Sequence, residues 1–160
     1  MQFNASYGIN MEKIIATNRK VLRDYSILES FECGVELKGS EVKSLRDSKA
    51  SLTDSFARIE KGEVFLWNSH ISPYDQASIF NVEPKRIRKL LLHKRQINRL
   101  LGQVSQRGLT LIPLKLYFNE GGRVKVELAL AKGKKFFDRR EDIKRREADL
   151  EIRRALRKKS

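Results

Sequence analysis

Apolar and polar residues alternate along much of the first half of the chain, which is the pattern of half-buried β-strands. The longest alternating stretch runs from Tyr25 to Leu37 and carries the acids Glu32 and Glu36 on one face. The opposite face carries the apolar residues Ile27, Phe31, Cys33, Val35 and Leu37. We therefore predict a strand whose inner face packs into a core and whose outer face is polar.

Other segments have the composition of strands and hairpins. Three short strands are predicted at Asp54–Glu60, Glu63–Asn68 and Ser69–Ser72. The turn Lys61-Gly62 joins the first two as a hairpin. A second hairpin combines Leu109–Phe118 with Arg123–Leu130 through the turn Asn119–Gly122. Pro113 indicates a bulge or an edge position in it, because proline cannot donate to a strand ladder.

Helices are predicted in three places. Asn18 can cap a helix over residues 18–25, and Ser40 can cap one over residues 41–46. Residues 93–104 have the clearest helical period, with apolar side chains at i, i+3, i+4 and i+7: Ile97, Leu100, Leu101 and Val104. Many short antiparallel strands with two or three flanking helices indicate a mainly β fold, a closed or nearly closed barrel of about six strands.

The chain divides into three parts by pattern. Residues 1–17 have no clear period, and we expect a flexible N-terminal extension. Residues 18–131 hold the strands and helices of the barrel domain. Residues 132–160 are poor in apolar side chains but rich in acid–base pairs at i, i+4, which favour a helix modestly. We predict a basic tail that is disordered alone and becomes helical on a partner.

The charge of the chain points to a polyanionic partner. Its 160 residues include 34 Lys and Arg against 20 Asp and Glu, a formal net charge of +14. Residues 84–108 contain eight basic residues and no acid, and residues 132–160 contain 13 basic and six acidic residues. Such clusters favour phosphate backbones over a membrane, because no strongly amphipathic helix with bulky apolar anchors accompanies them and no apolar run approaches about 20 residues.

The sequence offers little for catalysis or metal binding. Cys33 is the only cysteine, and only two histidines are present. We therefore expect no disulfide, no metal and no cofactor, and a lone thiol fits the cytoplasm. An enzyme, such as an RNA-processing nuclease, would depend on His70 or His93 without a recognisable partner, so we predict no catalytic activity.

Four residues or clusters leave two interpretations open. His70, in a β-rich stretch, is a structural residue more often than a base. His93, at a helix start, either contacts a base or phosphate or is simply solvated. Glu32 either pairs with a nearby Arg or accepts from a base amino group. The cationic and aromatic run at residues 132–140 either stacks on unpaired bases or docks the start of the tail onto the barrel.

Four stretches of the chain resemble the SmpB family of SsrA-binding proteins. These stretches are Phe31–Gly34, Gly39–Arg46, Arg88–Arg95 and Ala131–Arg140. The matches run in the expected order from about Asn18 to the C-terminus. The resemblance implies an oligonucleotide-binding-like antiparallel β-barrel with flanking helices, which agrees with the strand pattern.

The family resemblance also implies a function. It implies an adaptor of trans-translation that binds the tRNA-like domain of tmRNA and brings it to stalled ribosomes. Glu32, Leu91 and His93 match positions implicated in tmRNA contact, and the neighbouring Lys94 and Arg95 are assigned to the same site. The alternative is a ribosomal or translation-factor-like protein that binds rRNA without tmRNA.

The family tail lies along the empty mRNA path of the small ribosomal subunit, where it becomes helical near the 16S rRNA decoding centre. The matching residues here are Lys132, Gly133, Lys134, Lys135, Phe137, Asp138, Arg139 and Arg140. Phe137 stands where members often carry His or Tyr, so stacking on rRNA survives but a role for a ring nitrogen or hydroxyl does not. We expect a monomer when the protein is free.

Overall fold

The computed structural model describes residues 12–77, 81–134 and 136–159. Helices and strands follow one another in chain order as β1 Lys13–Thr17, α1 Val21–Asp24, β2 Tyr25–Val35, α2 Gly39–Arg46, β3 Ala50–Ser51, β4 Phe56–Glu60, β5 Glu63–Trp67, β6 His70–Ile71, β7 Arg88–Leu91, α3 Lys94–Arg107, β8 Thr110–Phe118, β9 Val124–Gly133 and α4 Phe136–Lys159. A 3₁₀ turn, Asp75–Ala77, follows β6.

Six of these strands close into an antiparallel barrel. Their order is β8-β4-β5-β7-β2-β9, and β9 pairs with β8 to complete the ring. The join between β4 and β8 is short, with Ala57 opposite Leu111 as its one residue pair. The predicted mainly β barrel of about six strands is therefore confirmed. β3 and β6 form a separate two-stranded sheet.

The core lies inside the barrel and extends to two of the helices. Fully buried members include Leu45 of α2, Leu100 of α3, Val64 of β5, and Val126 and Leu128 of β9. Burying an aliphatic side chain of this size stabilises the fold by roughly 1.5–3 kcal/mol. The helices therefore act as apolar covers for the strands. In α3, Ile97 and Leu100 of the predicted apolar face are buried, whereas Leu101 is 42% exposed.

Local backbone chemistry explains the β4–β5 turn, the bulge in β8 and the end of α3. Lys61 and Gly62 join β4 to β5 with φ of 51° and 77°. Positive φ at both central residues is typical of the tight turn whose twist matches paired strands. The register of β8 on β9 shifts between Pro113 and Lys115, so the predicted bulge is confirmed. Gly108 ends α3 in the left-handed conformation.

The start of the barrel differs from the prediction. Residues 13–17 form β1, which pairs with β8, although their sequence has no periodic pattern. Backbone hydrogen bonds to β8 hold this segment, and Ile15, which is 8% exposed, packs into the core. The rest of the predicted extension, residues 1–11, lies outside the described residues. Asn18 does not cap α1; its Nδ2 donates to the Pro113 carbonyl at 3.2 Å.

Helix α2 also begins differently from the prediction. It starts at Gly39, and the residue before it is Lys38 rather than Ser40. The Glu41 carboxylate accepts a hydrogen bond from the Lys38 backbone N–H at 2.8 Å. The Glu41 carboxylate thus satisfies the backbone N–H of Lys38, and Lys38 rather than the predicted Ser40 is the cap residue.

Strand β7 is absent from the sequence prediction because a charged residue faces its core side and an apolar residue faces its outer side. Arg88 points inward and is 1% exposed, whereas Leu91 points outward and is 49% exposed. The buried Arg88 contacts Glu41 of α2 through two atoms, with Nε at 2.7 Å and Nη2 at 2.6 Å, and its Nη1 donates to the Ser69 carbonyl at 2.8 Å. Arg86 makes a second ion pair with Glu41, at 2.5 Å. This buried charge network joins α2 to β7.

The tail begins with a turn held by backbone contacts and continues as α4. The Lys134 backbone N–H donates to the Asp24 carbonyl at 2.9 Å, and its ammonium pairs with Asp142. Apolar residues of α4 are exposed, including Ile143 at 47% and Leu156 at 64%. Of the helices in the described part, none is long and apolar enough to cross a bilayer. That the tail is disordered in isolation stays a prediction.

Candidate RNA-binding surface

Strand pairing places Glu32 and Leu91 on the same outer face of the barrel. Leu91 of β7 lies opposite Gly34 of β2, and Glu32 is two residues before Gly34. Residues two apart on a strand share a face, and so do directly paired residues. An exposed carboxylate and an exposed leucine are therefore neighbours, as expected for a common site.

Gly34 makes room for Leu91. A Cβ atom at position 34 would lie 3.3 Å from the Leu91 Cβ, which is tighter than ordinary van der Waals contact. The missing side chain lets Leu91 lie over the β2 backbone while keeping half of its surface open. The site gains an apolar contact that a bound base or ribose can cover.

His93 lies immediately before α3, in the extended conformation of a helix N-cap residue. Its side chain makes no capping hydrogen bond and is exposed, as are those of Lys94 and Arg95 in the first turn. That turn contains no acid. Free backbone amides, two cations and an imidazole together form a surface that attracts phosphate.

Glu32 has partners that the sequence did not reveal. The Tyr117 hydroxyl donates a hydrogen bond to one carboxylate oxygen, and the Lys125 ammonium lies 4.0 Å from the other. The arginine pairing considered from the sequence is therefore wrong. The Glu32 side chain is still 49% exposed. It is thus oriented by Tyr117 yet open to a ligand, so it can accept from a base amino group or a 2′-hydroxyl.

Tyr117 is buried although it points to the outer face. Only 3% of it is exposed, and the Lys115 ammonium lies 4.8 Å from the centre of its ring. Burial, followed by the hydrogen bond to Glu32, raises the pKa of the Tyr117 hydroxyl well above its usual value. The hydroxyl therefore stays protonated and remains a donor to Glu32. The sequence around Tyr117 does not indicate this role, because its hydrogen-bond partner Glu32 is 85 residues away along the chain.

The paired strands extend this face across β2, β9 and β8. Lys125 lies opposite both Gly34 and Tyr117, and Glu127 lies opposite both Glu32 and Lys115. The Lys115 ammonium is 3.8 Å from Glu127. Acids on this face thus have cationic neighbours, which leaves a surface of mixed charge around the exposed Leu91.

The first tail residues lie at the end of the β2–β9 pair that is opposite to the Glu32 and Leu91 end. Gly133 lies opposite Tyr25, and Lys132 opposite Ser26, whereas Lys125 lies opposite Gly34. The span from residue 25 to residue 34 of β2 is about 30 Å at the usual rise of a strand. The two predicted contact regions are therefore well separated on the protein.

Several predicted tail residues are only partly described. Lys135 lies outside the described residues, and the side chains of Phe137, Asp138 and Arg139 are outside the described part as well. Their backbone belongs to the first turn of α4. Arg140 follows them and is exposed. Lys132 is also exposed, at the end of β9.

His70 lies apart from both regions. It belongs to β6, lies opposite Ser51 of β3 and is half-buried. In the described part of the chain, no group of three or more His, Cys, Asp or Glu side chains could hold a metal ion. Cys33 is 3% exposed, and its thiol donates to the Val126 carbonyl at 3.4 Å. It is a core residue, as the strand pattern predicts.

A closed β-barrel with a partly apolar outer face of mixed charge, a cationic helix start and a basic helical tail defines a protein of the RNA-binding barrel class. Comparison with known proteins is more specific. Residues 15–158 match the family model described as SmpB protein. The chain belongs to the SmpB family, as its sequence motifs predict.

Two relatives show how far the similarity extends. The SsrA-binding protein of Caldicellulosiruptor saccharolyticus is 62% identical over 144 residues, which is 90% of each chain. That of Carboxydothermus hydrogenoformans is 60% identical over 147 residues, 92% of this chain and 98% of the relative. A solved structure described as "tmRNA-SmpB: a journey to the center of the bacterial ribosome" matches with a TM-score of 0.63 at 58% identity. It covers 75% of this chain and 84% of that one.

Proposed function

We propose that this protein is a tmRNA-binding adaptor of trans-translation, which binds the tRNA-like domain of tmRNA and delivers it to stalled ribosomes. Its high identity to SsrA-binding proteins supports this role. The observation that carries the proposal is the presence of two contact regions, the outer face around Glu32 and the tail, at opposite ends of the β2–β9 pair. An adaptor between two RNAs needs such a separation.

The barrel face binds the tRNA-like domain. Glu32, held by Tyr117, accepts hydrogen bonds from a base or ribose, and Leu91 covers an apolar surface of the same nucleotide region. His93 bonds a phosphate or base at the start of α3, while Lys94 and Arg95 neutralise neighbouring phosphates. None of these roles requires catalysis, a metal or a cofactor.

The tail engages the ribosome. Its 13 basic residues, six acids and exposed α4 suit a helix surrounded by rRNA, because a wide apolar stripe for docking on the barrel is lacking. Lys132, Gly133, Lys134, Lys135, Phe137, Asp138, Arg139 and Arg140 begin this tail near the 16S rRNA decoding centre, and the rest follows the empty mRNA path. The free protein is a cytoplasmic monomer whose tail is disordered until it binds.

Truncation after residue 131 tests whether the barrel binds tmRNA and the tail binds the ribosome. The shortened protein should bind the tRNA-like domain with nearly unchanged affinity and should fail to support tagging of peptides on stalled ribosomes. Circular dichroism of a peptide of residues 132–160 should show mostly coil in plain buffer. Tagging by the truncated protein would overturn the tail assignment, and a strongly helical peptide would overturn binding-coupled folding.

A further inference from the structure

A second surface rich in aromatic residues lies on the outer face of the β4–β5 hairpin. Phe56 lies opposite Trp67, and Arg58 lies opposite Phe65. The inward positions between them, Ala57, Val64 and Leu66, are buried at 5%, 0% and 2% exposure. The core is therefore filled by other residues, and the aromatic side chains of this face extend over the outside of the barrel.

The Phe56 and Trp67 rings of this surface are parallel, and the Arg58 guanidinium lies close to both. The planes of Phe56 and Trp67 differ by 6°, with their centres 6.2 Å apart. The Arg58 guanidinium lies 5.0 Å from the centre of the Phe56 ring and 5.4 Å from that of Trp67. Arg58 is exposed and makes no ion pair with a carboxylate of the described residues. Its positive charge is thus available to an anion.

Trp67 also carries an unused hydrogen-bond donor. Its Nε1 is closed to solvent and has no partner among the described residues. Buried polar groups are almost always paired, so an unpaired indole N–H indicates a place where a partner is missing.

We propose that Phe56, Arg58 and Trp67 bind an unpaired RNA nucleotide. Its base takes the position of the guanidinium over the parallel rings, and Arg58 turns to the phosphate of the same nucleotide. Aromatic faces with a neighbouring cation are how proteins bind single strands without reading their sequence. A duplex cannot enter this surface, because its bases are already stacked on each other.

The surrounding charges agree with an anionic ligand. Lys89 of β7 lies opposite Phe65 and pairs with Glu63 at 2.9 Å, which offsets the charge of that acid of the hairpin. Lys89 is two residues from Leu91 on the same strand face. An RNA bound at the Glu32 surface can therefore continue over β7 to this second surface, although the inference does not require tmRNA as the ligand.

Trp67 is the only tryptophan, so its fluorescence reports directly on this surface. The full-length protein is titrated at about 150 mM salt, where long-range attraction is largely screened, with a short oligoadenylate, a blunt RNA duplex and inorganic polyphosphate. Oligoadenylate should quench the fluorescence in a saturable manner, and the other two should not. Absent quenching, or equal quenching by duplex or polyphosphate, would overturn the proposal.

Two matched substitutions separate stacking from general attraction. Arg58→Gln should weaken the quenching affinity at least fivefold, whereas Arg123→Gln, which removes the same charge at the β8–β9 turn, should change it less than twofold. Equal weakening by both would overturn the site. Glu32→Ala should leave the quenching by oligoadenylate unchanged while it reduces binding of the tRNA-like domain. The two readouts therefore distinguish a failure of the Phe56–Arg58–Trp67 site from a failure of the proposed tmRNA-binding function.

Discussion

The buried charge network between α2 and β7 makes the stability of the fold depend on Glu41. This carboxylate is 3% exposed and is bonded to Arg86 at 2.5 Å and to Arg88 at 2.6 Å. Glu41→Gln keeps the shape but removes the charge, leaving the 1% exposed Arg88 without its counter-charge. Breaking a buried ion pair on one side costs about 3–5 kcal/mol. That is a large part of the 5–15 kcal/mol that typically separates folded from unfolded states.

Urea unfolding at pH 7, followed by Trp67 fluorescence, measures this loss. The midpoint should fall while the slope of the free energy against urea stays unchanged. Glu29→Gln is the matched control, because the Glu29–Arg99 pair is well exposed and is worth at most about 1 kcal/mol. The reasoning is refuted if Glu41→Gln costs less than about 1 kcal/mol, or no more than the control.

The same network predicts an acid dependence with a definite sign. Burial acts to raise the Glu41 pKa, but hydrogen bonds from Arg86, the Lys38 backbone and Arg88 outweigh it, so the pKa lies below its ordinary value. A depressed carboxyl pKa gives stability that is present above the unfolded-state value and is lost as the pH falls through the folded-state value. The wild type should therefore lose more stability than Glu41→Gln at acid pH.

Two further substitution or labelling experiments test the site and the core. Tyr117→Phe should weaken binding of the tRNA-like domain about tenfold, because it removes one hydrogen bond to a charged group. In a Glu32→Ala background the same substitution should weaken binding little further. A gel shift equal to that of the wild type would exclude a positioning role for Tyr117. Burial raises the pKa of the Cys33 thiol to about 12, so iodoacetamide at pH 8 should label the native protein at least about a hundredfold more slowly than the urea-unfolded protein. Its buried neutral thiol contributes stability below pH 9 that should be lost as the pH rises toward 12; rapid native labelling would contradict this burial.

The barrel was predictable from sequence because its strands are half-buried. In β2, Cys33 faces the core and Glu32 faces outward, so the period of two is visible in the residues themselves. The turn at Lys61-Gly62 and the bulge after Pro113 were predictable for a different reason, because they depend on local backbone chemistry. Closure of the ring required the β8–β9 and β4–β8 pairs, which pattern alone does not specify.

Other features depend on contacts between distant residues. Strand β7 was missed because Arg88 points inward to Glu41, 47 residues away, and Leu91 points outward beside Gly34. The hydrogen bond of Tyr117 to Glu32 joins β8 to β2 and has no local signature. The family motifs predict Glu32, Leu91 and His93 as site residues, but only the fold shows that Tyr117 is the partner of Glu32.

A gel shift with the tRNA-like domain of tmRNA tests the central claim most directly. At about 150 mM salt, with excess ordinary tRNA as competitor, the shift should survive. Glu32→Ala and His93→Ala should each weaken it, whereas Glu120→Ala, at the exposed β8–β9 turn, should not. A shift that the competitor abolishes, or that Glu32→Ala leaves intact, would contradict a tmRNA-specific barrel surface and favour a protein that binds rRNA without tmRNA.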